Sequence, residues 1–295
     1  MRRVLKQIGY LLVILFFLPY VVTIFVNGNG ILKSKDLGVP YVTVKRGDTI
    51  EEMSLDEYGI SVLAKEIQAD APVEAIKAQA VLVRTSIYKS IHEEGSDVVL
   101  TKEFWNKSQM EMNWGTRGYS ANYAIMQDCW QETANTILVY EGNPALTPYH
   151  KISNGKTRSG QEVLGVQDYP YLQIKDCPKD LASADAITTS IIPETGLQVL
   201  EWDSAGYVTK VKCGEEEVLG EEFRSTYHLT SASFTLQDFD GKTRVIAQGI
   251  GHGLGLSQHT AIEMAKEGIG YREILEYFFE ATKLQEVAEI LIKTE

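Results

Sequence analysis

Three hydrophobic rhythms divide the chain. From Ile8 to Val26 it is apolar and uncharged for 19 residues, a length that at helical rise spans the ~30 Å hydrocarbon core of a bilayer. Val39 to Val44 alternates instead, as a half-buried strand does, and Lys45-Arg46-Gly47-Asp48 reads as a turn. Leu55, Ile60, Leu63, Ala64 and Ile67 predict a first helix that breaks near Asp70 and Pro72. Pro72 suits the first position of a second helix, where Ile76, Ala80, Val83, Ile87 and Ile91 recur at three- and four-residue steps and form one buried stripe. Residues 95–113 are polar, and Trp105 and Trp114 either pad a loop or face a ligand. A third helix is expected over Asn122–Asn135, and Ile137 to His150 reads as a hairpin. Between Leu197 and Val245 short alternating strands are broken at 203–206, 213–217 and 238–242. Helical spacing returns after Ser257 and at Tyr271–Thr282, ahead of a last apolar segment at Val287–Ile292.

These elements predict an α+β fold, with helices at both ends around a β-rich middle, preceded by one transmembrane helix. The expected organisation is a cytoplasmic tip and membrane anchor at 1–27, a linker at 28–38 and an extracytoplasmic domain at 39–295. Orientation comes from Arg2, Arg3 and Lys6, which precede the apolar run while no basic residue follows it closely; the N-terminus is then cytoplasmic and the remainder exported from a single-pass anchor in the cell membrane. A cleavable signal peptide is the competing reading, but no small-x-small site follows the run.

Charge narrows the partners. The net charge is −12, so there is no basic surplus to release counterions and nucleic acid is excluded as an expected partner. Cys129, Cys177 and Cys213 are dispersed and odd in number, and none has the spacing of a structural zinc site; neither a required disulfide nor a metal is expected.

Two stretches carry the candidate chemistry. The first is Gly249-Ile250-Gly251-His252-Gly253-Leu254-Gly255-Leu256-Ser257-Gln258, whose alternate glycines suit a backbone that comes close to something, with Ser257 as the N-cap of the next helix. It lacks the preceding early strand and following acidic residue of a dinucleotide fingerprint, so no cofactor is expected. The second is Glu74-Ala75-Ile76-Lys77-Ala78-Gln79-Ala80, in the first turns of the second helix. Together they resemble the stage II sporulation protein D family, also called the amidase-enhancer family, which carries an E-A-[LI]-K-A-Q-A helix and a late G-H-G-x-G-[LM]-S-Q loop. Weaker matches lie between them at Tyr149-His150, Ser153-Asn154-Gly155-Lys156-Thr157, Tyr169-Pro170-Tyr171-Leu172 and Glu222-Phe223-Arg224.

The resemblance implies a membrane-anchored peptidoglycan lytic transglycosylase of sporulation engulfment. Such an enzyme cleaves the β-1,4 bond between muramic acid and glucosamine in strands stripped of stem peptides, using one glutamate as the acid. Glu74 matches the helix motif, and Glu66 matches the glutamate of a second family pattern, E-M-P, which here reads Glu66-Ile67-Gln68. Glu74 is the first candidate by length of match. A first-turn glutamate also complements the helix dipole with no catalytic role, and a glycosidic acid should titrate near about pH 6, against the pull of a helix N-terminus. A fully exposed Glu74 would shift the role to Glu66.

By the same resemblance, substrate-side positions fall on His252, Gly253, Ser257 and Gln258, on His150 and Ser153, and on Lys77 and Gln79. From the residues alone, Ser257 and Gln258 cap a helix and brace the loop, and His252 equally ties the loop together. Some clostridial relatives hold zinc through His and Cys near this region, but the cysteines are missing beside His150, which again implies no metal. Implied partners are glycan strands, a cell-wall amidase and membrane proteins of an engulfment complex. The rival readings are a non-catalytic, glycan-binding enhancer of an N-acetylmuramoyl-L-alanine amidase and a pure scaffold.

Overall fold

The computed structural model describes residues 40–287, and those from Val42 onward belong to one compact unit. It opens with β1 (Tyr41–Arg46) and β2 (Thr49–Ser54), followed by helix α1 (Leu55–Glu66), which starts where the Ser54 hydroxyl accepts the Glu57 N–H. Helix α2 (Val73–Glu94) follows, then β3 (Val99–Leu100), which pairs in parallel with β1. The expected polar loop is instead partly helical. Asn106 and Gln109 form a reciprocal capping box that starts α3 (Lys107–Trp114), and Gly115 at φ +74° separates it from α4 (Thr116–Glu132).

Helix α2 is the centre of the helical half. Ile76, Ala80, Val83 and Ile87 pack into a cluster with Tyr58, Leu63 and Trp130, while Ala78, Val81 and Leu82 pack into a second cluster toward the chain's later helices. The helix is therefore buried on two faces, where the spacing predicted one stripe. Each such side chain is worth about 1.5–3 kcal/mol of burial. Arg84, 2% exposed, donates from this helix to the Trp130 and Thr133 carbonyls at 2.7 Å each and closes the C-terminus of α4. Gly59 on α1 leaves room for Trp130: a Cβ there would lie 2.1 Å from its ring.

Strand β4 (Thr136–Tyr140) pairs with β5 (Asn143–Pro144), and the segment expected to complete the hairpin contributes only β6 (Tyr149–His150). Short helix α5 (Gly160–Leu164) and a 3₁₀ turn at Pro178–Ala182 lead to the β-rich middle. That middle comprises β7 (Ile187–Ile192), the antiparallel group β8 (Gln198–Trp202), β9 (Val208–Cys213) and β10 (Glu216–Leu219), short helix α6 (Gly220–Thr226), and the hairpin β11 (Phe234–Phe239) with β12 (Lys242–Gln248). Val208, Val211, Phe223, Phe234 and Val245 form its core. The chain then returns through β13 (Leu256–Ser257), α7 (Gln258–Lys266) and α8 (Tyr271–Phe278) to β14 (Lys283–Glu286), which pairs antiparallel with β4.

Two parts of the expected fold class need correction. The α and β elements are mixed around a β-rich middle, but strands rather than helices bound the described chain, because β14 closes onto β4. Nor does a transmembrane helix precede the fold as expected: no described helix is long and apolar enough to cross a membrane. The longest, α2, has 22 residues and is interrupted by charge at Glu74, Lys77, Arg84 and Lys89. The expected span at 8–26, the linker at 28–38 and most of the last apolar segment lie outside the described residues.

Candidate functional site

The glycine-rich loop threads between two other segments of the chain. Gly249, Gly251, Gly253 and Gly255 all have positive φ, between +73° and +113°, a region that side chains rarely adopt. A Cβ would stand 2.8 Å from the Ile152 carbonyl oxygen at Gly249, 2.6 Å from the His150 Cβ at Gly251, 2.5 Å from the Tyr207 ring at Gly253 and 2.0 Å from the Pro148 carbonyl oxygen at Gly255. The close approach that the glycines permit is to the chain itself. β13 consequently lies in parallel register with β6, Leu256 opposite Tyr149 and Ser257 opposite His150.

Asp180, fully buried on the 3₁₀ turn, locks this crossing. Its carboxylate accepts the Ser153 N–H, the Ser257 hydroxyl and the Thr260 hydroxyl, each at 2.7 Å. Ser257 meanwhile accepts the Thr260 N–H at 3.3 Å as the N-cap of α7. One residue on, the buried Gln258 donates to the Glu66 carbonyl at 2.9 Å and to the Gln79 side chain at 3.1 Å. The late loop, the end of α1 and the motif of α2 thus meet at one amide, which fixes the backbone that carries Glu66.

Glu66 stands where two hollows join. The wider, about 790 Å³, runs between Trp105, Trp114 and Asn122 on the helical side and Ile152, Asp185 and His259 opposite. The narrower, about 350 Å³, is lined by Tyr149, His150, His252, Arg224 and Thr230 among others. Glu66, Lys151, Ile250 and Gln258 line both. Trp105 and Trp114 meet edge to face at 6.1 Å, an apolar wall of the kind on which sugar rings stack. Behind Glu66 lies a buried polar corner. Burial, and then the Glu66 carboxylate, push the Tyr149 phenol far above its ordinary range. The Lys102 ammonium sits 4.4 Å over the Tyr149 ring, and burial lowers its pKa while Glu66 partly offsets that.

The histidines form the far wall of the narrow hollow, with ring centroids 5.9 Å apart. His150 engages the Leu254 carbonyl through Nδ1 at 3.2 Å, and burial, helped by His252 and Arg224, lowers its pKa to about 3. His252 accepts the Leu254 N–H on Nδ1 at 3.0 Å and is likewise lowered, mainly by burial. Both rings are neutral at physiological pH. A charged network supports them. Arg158, 4% exposed, pairs with Asp203 at 2.6 Å and with Glu221 at 2.5 Å and reaches the His252 carbonyl at 3.3 Å, while Glu221 also holds Arg224 at 3.0 Å.

The structure therefore gathers Glu66, His150, His252 and Gln258 at one groove and sets Gln79 directly behind Gln258. Ser153, Gly253 and Ser257 are buried in the support of that groove. Glu74 and Lys77 stand apart from both hollows. Glu74 accepts Lys77 at 2.9 Å and the Tyr271 N–H at 2.8 Å, so it caps the start of α8, and Lys77 also bridges to Glu132. Burial raises the Glu74 pKa, but the Tyr271 N–H and Lys77 outweigh it and hold the carboxyl below its ordinary value.

Asp180, Tyr149 and Lys151 escaped the reading of the residues as candidates. Nothing in the spacing around Cys177-Pro178-Lys179-Asp180 signals a buried carboxylate, although Tyr149 and Lys151 flank a candidate already noted. Among the described residues no group of three or more His, Cys, Asp or Glu is placed to hold a metal ion.

Comparison with known proteins meets this geometry. The family described as Stage II sporulation protein matches residues 44–140, which contain both glutamates and α2. Stage II sporulation protein D of Bacillus amyloliquefaciens is 28% identical over 89% of this chain and 83% of its own length. The protein of the same name from Bacillus subtilis (strain 168) is 27% identical over 90% of this chain and 84% of its own. An uncharacterised protein of Brachyspira hyodysenteriae is 28% identical over 78% and 66%. The chain belongs to the stage II sporulation protein D family.

Proposed function

We propose that the protein is a peptidoglycan lytic transglycosylase of sporulation, with Glu66 as its general acid. The observation that supports this reading is the position of Glu66 at the junction of the wide and narrow hollows, on backbone pinned by Gln258. A glycan strand lying along the groove, with rings against Trp105 and Trp114, presents a glycosidic oxygen at that junction. Glu66 protonates the leaving O4, and the C1–O4 bond breaks. The C6 hydroxyl of the muramyl ring closes on C1 and returns its proton to the Glu66 carboxylate. No water is consumed and no second carboxylate is needed as nucleophile, in contrast to an ordinary glycosidase. The substrate places the site of action at the cell wall, and an amidase that strips stem peptides is the natural supplier of strands.

The test is digestion of peptide-free glycan by the intact protein and by Glu66→Gln, with products read by mass. Anhydro-muramyl ends from the first and none from the second are expected. Products heavier by one water would instead indicate hydrolysis, with Asp70 or Asp185 of the wide hollow as the second carboxylate. Glycan that binds uncleaved would leave a non-catalytic amidase enhancer as the function.

A further inference from the structure

Acid catalysis at Glu66 leaves the chemistry of the narrow hollow unused. His150 is 4% exposed; its Nδ1 is engaged by the Leu254 carbonyl, and its Nε2 is enclosed with no hydrogen-bond partner. Buried polar atoms are ordinarily satisfied, and this one, in the tautomer set by Leu254, is an acceptor waiting for an N–H or O–H. Arg224 donates one Nη to Glu221 at 3.0 Å and its Nε to the Leu229 carbonyl at 3.4 Å, leaving the other Nη without a partner among the described residues. Lys151 is exposed at the seam of the two hollows and its ammonium has no partner among the described residues. Three points from separate stretches of chain thus face one hollow of about 350 Å³: one neutral acceptor and two cations.

We propose that the narrow hollow is a subsite for a muramyl ring whose lactyl carboxylate is free. Lys151 and Arg224 pair with that carboxylate, and His150 accepts from an N–H or hydroxyl of the same sugar. The inference rests on the glycan reading of the groove and deepens it by assigning the residues that read the substituent. A stem peptide occupies the lactyl carboxyl as an amide, which removes the charge that both cations answer. Selection for stripped strands is then built into the site beside the scissile bond. The acid form of Glu66, the form that begins the reaction, adds no repulsion.

The test uses the intact protein and two synthetic strands that differ only at the lactyl group, one a free acid and the other a primary carboxamide. The free acid should be cleaved with a kcat/KM higher by about tenfold, a difference carried in KM. Lys151→Met should reduce that ratio to about one while the rate on the carboxamide strand stays within about twofold. Because the Lys151 side chain is exposed and unpartnered, this variant should fold normally; Arg224→Met is the companion. Equal cleavage of both strands by the unaltered protein, or a ratio unchanged in Lys151→Met, overturns the proposal. Binding of the same strands to Glu66→Gln by calorimetry separates the two readings. If neither strand is ever cleaved but the free acid binds more tightly and Lys151→Met abolishes the difference, the subsite stands and the transglycosylase reading fails. If neither strand binds, both fail.

Discussion

The end of α1 and the start of α2 carry two glutamates eight residues apart that face opposite kinds of surroundings. Glu66 has its backbone held from behind, at the carbonyl, while its side chain looks into the groove. Glu74 has the reverse arrangement, with both carboxylate oxygens committed to the protein, one to Lys77 and one to the Tyr271 N–H. A group that must release a proton to a ligand needs free oxygen and a fixed base, which is the arrangement at Glu66. A carboxyl held in its ionised form by a helix N-terminus and a lysine is suited to joining two helices. The longer motif therefore marks the place where α2, α4 and α8 are tied together, and the shorter one marks the groove.

The comparison is most sharply tested by exchanging each carboxyl for an amide. Glu66→Gln should lower kcat by about 10²–10⁴, the usual span of general acid catalysis, with an unchanged melting temperature. Glu74→Gln should keep turnover within a few-fold of the unaltered enzyme. The reverse pattern would assign the acid to Glu74 and discard the groove geometry as its explanation.

Asp180 extends the comparison to a carboxylate with no exposure at all. Asp180→Ala strands the Ser153 N–H and the hydroxyls of Ser257 and Thr260. The expected cost is about 3–5 kcal/mol in denaturant unfolding, since buried donors lose a charged acceptor. Activity should fall as well, because β13 delivers Gln258 to the Glu66 carbonyl. Unfolding within about 1 kcal/mol of the unaltered protein would show that the crossing does not depend on this group.

How far these parts were legible in the sequence follows from the range of the interactions involved. α1, α2 and the β11–β12 hairpin are local, and their apolar spacing or Asp240-Gly241 turn announces them. The loop glycines announced a close approach, but the approached surface, Pro148 to Ile152, lies about 100 positions away and is set by the tertiary crossing. Helix α3 was hidden because its only buried residue is Met110, leaving no stripe to read, and its start depends on a capping box. The roles of Glu66 and Glu74 depend on Gln258 and Tyr271, partners nearly 200 positions downstream that no local pattern specifies.

His150 offers a smaller effect, visible in acid. Its folded-state pKa of about 3 lies below the ordinary 6.5, so the unfolded chain binds a proton that the folded chain refuses. Stability is full above pH 6.5 and falls as the pH drops toward 3, with a slope of at most about 1.4 kcal/mol per pH unit from this one group. His150→Gln should flatten that part of the curve. Unfolding curves of the two proteins that stay parallel from pH 7 to pH 4 would show that His150 is protonated in the fold.

The smallest expected effect is the stability change in Glu74→Gln, and its pH dependence distinguishes a strut from an acid. The folded-state pKa of Glu74 is lowered from 4.5, by the Tyr271 N–H and Lys77 acting against burial. Its contribution is therefore present above pH 4.5 and is lost as the pH falls through the lower folded value. With the side chain 35% exposed, solvent screening limits that contribution to about 0.5–1 kcal/mol. Gln keeps an acceptor for the Tyr271 N–H but not the charge, and Lys77 retains Glu132 at 2.6 Å. Unfolding at pH 7 should thus show the variant weaker by about that amount, and the two proteins should converge near pH 3. A gap that persists undiminished in acid would mean that shape, rather than charge, is what Glu74 supplies to the start of α8.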